Sequence, residues 1–498
     1  MEKLEDSLWK PPPPMVLVDR FVRSVKVEQP ALKVEVEEPA WKVEVEEAAL
    51  KMLPERKAYR ASAVRQEPLP SSIDVPLYRE LLEGIDVCFS QVAAPPNITS
   101  MSLNISWPIH NLLSGYHLTA FISSCHRSYL VLYVGSYRPS FPEPGFYLVY
   151  NASTNSVALA PPLYCIDDTS HCDIGAGVAV LSYGKEPGQY ILTELLLCKD
   201  TQSLLPTHYA TLFIWESGSG RWVQREVVLP LPNGADARPF RADMVFAVSS
   251  SSVCWVDLLT GILVYNHIDS KEFHFIPLPK ECAMDTSMRM HQRPEEFRSI
   301  CCIDGQTLKF VSIDSFKQNC PQSELMLTVW ILQQPLEPRK WRWEKDVGSS
   351  FHIQKLWNDP LYTNTLYLPP VIPRCPVIST QQPGIIYLSV DNYLDAKESY
   401  VISLSLDRCS VESFYSIPLD ENGIVPPKML FSSDFSSYLN KTKPWDCQRR
   451  NGAAVLELSR GGLVSRYGVS TTPLEPKSRK TGPSNCKVGL QGVLDYSC

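Results

Sequence analysis

The chain has 498 residues, of which 44% are hydrophobic and 20% charged, and this is the composition of a globular protein. Its formal net charge of -7 argues against nonspecific nucleic-acid binding, which depends on an excess of Lys and Arg. No stretch approaches the roughly 18 apolar residues that cross a membrane. These features exclude nucleic acid and membranes as expected partners.

The N-terminal residues and the cysteines indicate the compartment of the protein. The charged start, Met1 to Asp6, lacks the apolar segment of a secretory signal, so we expect a cytosolic or nuclear protein. The 15 cysteines form no recognisable framework, and we expect them to be reduced thiols.

Residues 1–85 are predicted to be a largely disordered, acidic arm, in which 15–22 is a candidate ordered strand that joins the body. A nine-residue repeat occupies residues 24–50 and places Leu32, Trp41 and Leu50 at equal spacing. Two interpretations stay open, a linear docking arm and a duplicated, solvated linker, and the seven glutamates of this stretch favour the linker.

Residues 86–467 are predicted to form one all-β domain, followed by a flexible polar tail at 468–498. Apolar residues alternate with serines at Ile402, Leu404 and Leu406, and period two indicates strands with one buried and one wet face. A larger unit recurs as a strand ending in Asp, Asn or Glu, a tight turn, a returning strand and usually a proline. It begins at residues 146, 212, 254 and 402, and more loosely at 327.

A single hairpin cannot bury its apolar face, so several such units must pack together. Their spacing, on the scale of propeller blades, predicts an irregular β-propeller of about six or seven blades. The alternative is a two-sheet β-sandwich with long loops.

Candidate chemistry is sparse. The most suggestive cluster holds Cys165, His171 and Cys172, but adjacent ligands on an extended strand point apart and no second half-site is evident. His267 and His274 are expected to be ordinary strand residues, and the tryptophans to be core. We therefore predict no catalytic residue, no cofactor and no metal.

Several segments carry a resemblance to a known family. The strongest runs from 253 to 266 and on to 279, with W-V-D, G-I-L and I-P-L-P elements. The segments 298–314, 327–332, 341–346 and 356–357 follow. Over residues 14–22 and 86–440 the chain resembles the plant family called domain of unknown function 1618, which is abundant in grasses. The resemblance implies a propeller like those that follow F-boxes. It also implies structural roles for Trp255, Val256, Asp257, Gly261, Ile262, Leu263, Pro277, Leu278, Pro279, Phe310, Val311 and Trp330.

Three functions remain open. We prefer a non-enzymatic protein-interaction module with an unidentified protein partner. One alternative is a substrate-receptor-like subunit of a ubiquitin ligase, although residues 76–85 echo an F-box only faintly. The other alternative is a hydrolase or glycan-binding protein that uses the propeller channel, which requires converging carboxylates or a His–carboxylate pair.

Overall fold

A computed structural model of the chain shows a ring of small β-sheets. The residues that it describes are 11–26, 65–66, 85–89, 92–105, 119–135, 146–160, 163, 177–183, 188–199, 206–217, 221–232, 240–266, 272–282, 293–313, 324–337, 341–366, 368–391, 399–417 and 429–439. Most of the nonapeptide repeat, the 76–84 segment, the Cys165 to Asp173 cluster, His267 and the tail at 468–498 lie outside these residues.

The fold is a β-propeller of six blades, so the predicted propeller is confirmed and the sandwich alternative is wrong. Blade 1 closes the ring with strands from both ends of the described chain. Within it, β1 pairs antiparallel with β27 and parallel with β5, while β2 pairs parallel with β6, and β6 antiparallel with β4. Its strands are β1 (Val16–Asp19), β2 (Phe21–Lys26), β4 (Ile85–Phe89), β5 (Ile98–Thr99), β6 (Met101–Ile105) and β27 (Leu430–Ser433).

Blades 2 and 3 each contain four consecutive antiparallel strands. Blade 3 is a separate four-stranded sheet, whereas blade 2 is joined to blade 1 in one eight-stranded sheet, because β2 pairs antiparallel with the first strand of blade 2. Blade 2 also receives β3 (Arg65–Gln66), which pairs parallel with its outer strand. Blade 2 contains β7 (Thr119–His126), β8 (Tyr129–Gly135), β9 (Phe146–Asn151) and β10 (Ser156–Ala160). Blade 3 contains β11 (Val178–Ser182), β12 (Tyr190–Lys199), β13 (Pro206–Glu216) and β14 (Trp222–Val228).

Blades 4 and 5 follow the same antiparallel order, and they contain most of the segments that carry the family resemblance. Blade 4 contains β15 (Met244–Ala247), β16 (Ser252–Asp257), β17 (Gly261–Asn266) and β18 (Phe273–Pro277). Blade 5 contains β19 (Arg298–Ile303), β20 (Thr307–Ile313), β21 (Met326–Gln333) and β22 (Trp343–His352).

Blade 6 completes the ring beside blade 1, and the few helical turns of the described residues are short. Blade 6 contains β23 (Arg374–Ile378), β24 (Ile385–Asp391), β25 (Ser399–Ser405) and β26 (Ser410–Ser416). The helical turns are α1 (Ile353–Trp357), a π-helix (Leu361–Thr365) and 3-10 helices at Lys280–Cys282, Pro294–Glu296 and Phe435–Tyr438.

The apolar core is divided among the blade interfaces. Six separate clusters of buried side chains lie one between each pair of neighbouring blades, including the pair formed by blades 6 and 1. Each sheet is therefore covered on both faces, and all six residues of β9 and of β16 are buried.

This arrangement corrects the prediction of a wet face on the 402–406 strand. Ser403 and Ser405 are only 5% and 4% exposed, because β25 lies between two neighbouring blades rather than at a solvated surface. Along β25, apolar residues and serines alternate between two faces, and both faces are packed against neighbouring blades.

Candidate functional site

A cavity opens at one end of the central channel, where β7, β15, β19, β23 and β27 end. We call it the wide mouth. Its volume is about 570 Å³, and it is lined by five of the six blades. Hydroxyl and amide side chains dominate its polar lining, which also holds two arginines and two aspartates in balanced number: Arg20, Arg127, Asp304 and Asp434. The hydroxyl and amide side chains are Ser123, Ser124, Ser249, Ser250, Ser299, Gln306, Thr380, Gln381, Ser432 and Ser433.

A smaller cavity of about 200 Å³ opens at the opposite end, where β15, β19, β23 and β27 begin. We call it the narrow mouth. Its lining differs in chemistry, because it is rich in charged side chains. These are Arg293, Glu295, Glu296, Arg298, Arg374 and Asp391.

Arg20 lines both cavities and lies between them. The residue is only 8% exposed, and its guanidinium donates to three backbone carbonyls: Nε to Ile122 at 3.1 Å, Nη2 to Ser123 at 2.7 Å and Nη1 to Asp243 at 3.4 Å. These bonds join blade 1 to blade 2 and to the segment that enters blade 4. They fix a positive charge inside the channel.

Three thiols line the wide mouth. Burial raises the pKa of Cys125 to about 12, that of Cys301 to about 12 and that of Cys302 to about 11. A nucleophilic cysteine needs a lowered pKa, because the thiolate is the reactive form. These thiols are therefore protonated and unreactive at neutral pH.

The pKa of His126 is lowered rather than raised, and the side chain is uncharged at neutral pH, as the three thiols are. Burial, together with the nearby charge of Arg127, lowers its pKa to about 4. Its Nδ1 accepts the backbone N–H of Ser182 at 2.9 Å, and this bond ties blade 2 to blade 3. The imidazole is neutral at pH 7, and its acceptor nitrogen is already in use.

Ion pairing and an irregular inner strand characterise the narrow mouth. Arg374 forms a 3.0 Å ion pair with Glu296, and its guanidinium lies 5.9 Å from the ring of Phe297. Cys375 has a φ of 49°, within a register shift of β23, and burial raises its pKa to about 12. The bulge changes the direction in which β23 presents its first side chains.

The family-motif residues lie away from both mouths and connect blades. Trp255 donates its Nε1–H to the carbonyl of Gly177 in blade 3 at 2.7 Å. Asp257 accepts backbone N–H groups from Leu259, Thr260 and Arg241 at 2.8, 3.2 and 3.0 Å, which fixes the turn after β16.

Gly261 is required by the close approach of β18. A Cβ at this position would lie 2.5 Å from the Ile276 carbonyl oxygen, so any other residue would have to displace backbone. The carbonyl of Pro277 accepts the Nε1–H of Trp343 in blade 5 at 2.8 Å.

The remaining motif residues pack in the same part of the ring, and none of them lines either mouth. Ile262 and Leu263 lie in β17, Leu278 and Pro279 follow β18, Phe310 and Val311 lie in β20, and Trp330 lies opposite Phe310 in β21.

Sequence reasoning missed both mouths. Their residues come from turns and strand starts that are up to several hundred positions apart, so spacing carries no signal for them. For Arg20 one signal exists: an Asp19–Arg20 pair directly follows the apolar residues of β1.

Metal, membrane and thiol predictions can be compared only with the described part of the chain. There, no group of three His, Cys, Asp or Glu residues is placed to hold a metal, and no helix has the length and apolar character to span a bilayer. Eight of the described cysteines are free, as expected. Cys88 is disulfide-bonded, so the expectation of reduced thiols is wrong at that position.

The fold and the two mouths define the class of this protein, a six-bladed β-propeller with a chemically asymmetric channel. The model of the family described as "Protein of unknown function (DUF1618)" matches residues 255–387. Over this stretch the chain is similar to that family, which confirms the resemblance in its motifs. Its occurrence in plants stays a prediction.

Several solved structures are similar to the chain at low identity. A GH43 β-1,3-galactosidase with galactodeoxynojirimycin is 10% identical at a TM-score of 0.26, and the match covers 62% of this chain and 92% of that one. An α-L-arabinofuranosidase from Fusarium graminearum with an iminosugar inhibitor is 9% identical at 0.25, with 63% and 96% covered. A eukaryotic initiation factor is 8% identical at 0.22, with 69% and 70% covered.

A search of curated proteins finds no significant match. At these identities and TM-scores, the function has to be argued from the channel itself.

Proposed function

We propose that the chain is a non-enzymatic protein-interaction module that binds an extended, uncharged segment of a partner protein in the wide mouth. The observation that carries this proposal is the cavity of about 570 Å³ lined by hydroxyl and amide groups from five blades. Sites of roughly 300–1,000 Å³ accommodate ligands the size of a few residues.

The lining suits a peptide backbone. Hydroxyl and amide groups can both donate and accept, so they can match the alternating N–H and C=O groups of an extended segment. Tyr438 lies at the rim and is 37% exposed, which provides an aromatic surface for an apolar side chain of the partner.

The shifted pKa values of the side chains that line the wide mouth favour binding over catalysis. A general base works best with a pKa near the working pH, whereas the pKa of His126 is lowered to about 4. The raised pKa values of Cys125, Cys301 and Cys302 disfavour covalent chemistry. The hydrolase alternative has one observation in its favour, the three carboxylates of Glu295, Glu296 and Asp391 in the narrow mouth, but Glu296 is paired with Arg374 there. Among the described residues, no observation favours the ubiquitin-ligase alternative.

We propose a cytosolic or nuclear partner, because eight of the nine described cysteines are free thiols and only Cys88 is disulfide-bonded. The test is affinity purification from a soluble extract with quantitative mass spectrometry. It compares the wild-type chain with Ser250→Trp, which fills the mouth from an exposed turn, and with Ser350→Trp, a matched control on the exposed face of β22.

We expect Ser250→Trp to reduce recovery of the specific partners at least tenfold, while Ser350→Trp retains them. Equal recovery by all three proteins would remove the wide mouth as the binding site. A glycan rather than a protein recovered on the wild type alone would replace the peptide with the second alternative.

A further inference from the structure

We infer that the narrow mouth is a second binding site, which holds a small zwitterion of the amino-acid class between Arg293 and Glu295. This inference is independent of the wide mouth and of any protein partner. It begins from the 3-10 helix Pro294–Glu296, which carries these two charged residues at the entrance to β19.

The two side chains differ from their neighbours in having their charges available. Glu296 is paired with Arg374 at 3.0 Å, and Asp391 accepts the hydroxyl of Ser399 at 2.5 Å. Within the described residues, the side chains of Arg293 and Glu295 form no hydrogen bond or ion pair, and Oε2 of Glu295 is buried.

A buried carboxylate oxygen without a donor costs free energy, and a ligand that supplies a donor recovers it. An ammonium group can do so, because it carries three donors and a positive charge. Arg293 presents the complementary group, a planar guanidinium that binds carboxylates in a bidentate manner.

The charge of the whole cavity selects a zwitterion over a simple ion. Four guanidiniums and three carboxylates line it, so a lone cation meets the repulsion of the arginines and a dianion that of the acids. A molecule with one ammonium and one carboxylate matches both sets. The guanidiniums belong to Arg20, Arg293, Arg298 and Arg374, and the carboxylates to Glu295, Glu296 and Asp391.

Size and polarity narrow the class further. A cavity of about 200 Å³ holds a single amino acid rather than a peptide. Its remaining lining is largely apolar, so the ligand's side chain should be apolar as well. This lining consists of Met244, Pro376, Met429 and Leu430, with Ser299 and Cys375 beside them.

The test is isothermal titration of the full chain with L-leucine, with two analogues as controls. 4-Methylpentanoate lacks the ammonium group, and isoamylamine lacks the carboxylate. We expect leucine to bind at least tenfold more tightly than either analogue, because each lacks one charge-assisted contact.

Glu295→Gln preserves the size of the side chain and removes its charge, and we expect it to weaken leucine binding about tenfold or more. Arg293→Gln should weaken binding of leucine and of 4-methylpentanoate alike. The matched control is Asp304→Asn at the wide mouth, which should leave leucine affinity unchanged.

The inference is overturned if leucine gives neither heat nor a shift in the melting temperature up to about 10 mM, where affinity is too weak to matter. It is also overturned if Glu295→Gln binds leucine as the wild type does. Binding of isoamylamine as strong as that of leucine would show a simple cation site instead.

Discussion

Blade 4 and blade 1 are assembled from different parts of the chain. In blade 4 the strands follow one another within residues 244–277 and pair antiparallel throughout. In blade 1 the strands come from residues 16–26, 85–105 and 430–433. There, β1 pairs parallel with β5, and β2 pairs parallel with β6.

The difference separates local from non-local stabilisation. A hairpin forms from neighbouring residues, and its turn is specified by the residues of the turn itself. Closing a loop of several hundred residues instead costs conformational entropy, which only tertiary contacts offset. The four residues of β1 are all buried, and they are held between β27 and β5. Blade 1 is therefore the point at which the ring should open first.

The largest effect is expected from removing the closing strand. A chain truncated after residue 428 lacks β27 and the buried Phe435, which leaves the edge of β1 and one face of blade 1 uncovered. We expect loss of cooperative folding, measured by circular dichroism and by the soluble fraction after expression. Truncation after residue 450 is the control, because it keeps every described residue, and it should fold. Native-like melting of the shorter chain would show that blade 1 does not close the ring.

A smaller but still large effect is expected in blade 4 from Asp257→Ala. Three backbone N–H groups lose the acceptor that the fully buried Asp257 side chain provides, so the free energy of unfolding should fall by about 3 kcal/mol. Urea denaturation measures the loss. Arg408→Ala is the control, since it removes only an exposed 3.3 Å ion pair with Glu412 and should cost less than about 0.5 kcal/mol. A loss at Asp257 no larger than at Arg408 would mean that the local turn does not stabilise the blade.

The contact between blades 2 and 3 should respond to pH. The pKa of His126 is lowered from the usual 6.5 to about 4 in the folded chain. Between pH 4 and 6.5 the histidine is therefore protonated in the unfolded chain and neutral in the folded chain. The stability is therefore fully present above pH 6.5 and is lost as the pH falls towards 4, by up to about 3 kcal/mol.

His126→Asn should flatten this dependence, because its amide oxygen can still accept the Ser182 N–H and does not titrate. Urea denaturation at several pH values between 4 and 7 gives the slopes. Equal slopes for wild type and variant would show that this histidine is not the titrating group.

Sequence reasoning reached the parts of the fold that are encoded locally. The turn chemistry of Asp257 and the close approach at Gly261 are encoded within about 20 residues, so the hairpins of blade 4 and the propeller class could be predicted. The exact blade number could not, because it depends on the pairing of β1 with β27 across more than 400 positions. The mouths were missed for a related reason: Arg20, Glu295 and Thr380 meet only once the ring is closed.

The smallest effects are expected from the two tryptophans that connect blades at different depths. Trp255 is fully buried and bonded to Gly177, so Trp255→Phe leaves a carbonyl unpaired and a small void, at a cost of about 2 kcal/mol. Trp343 bonds the Pro277 carbonyl in a partly exposed position where water can replace it, so Trp343→Phe should cost less than about 1 kcal/mol. Urea denaturation of both variants in parallel tests the ranking, and each serves as the control for the other. The reverse order would mean that the outer contact between blades 4 and 5 stabilises the ring more than the inner contact between blades 3 and 4. In that case the stability of blades 3 to 5 would depend more on the half-buried contacts at the outer strands than on the buried hairpins that the sequence encodes.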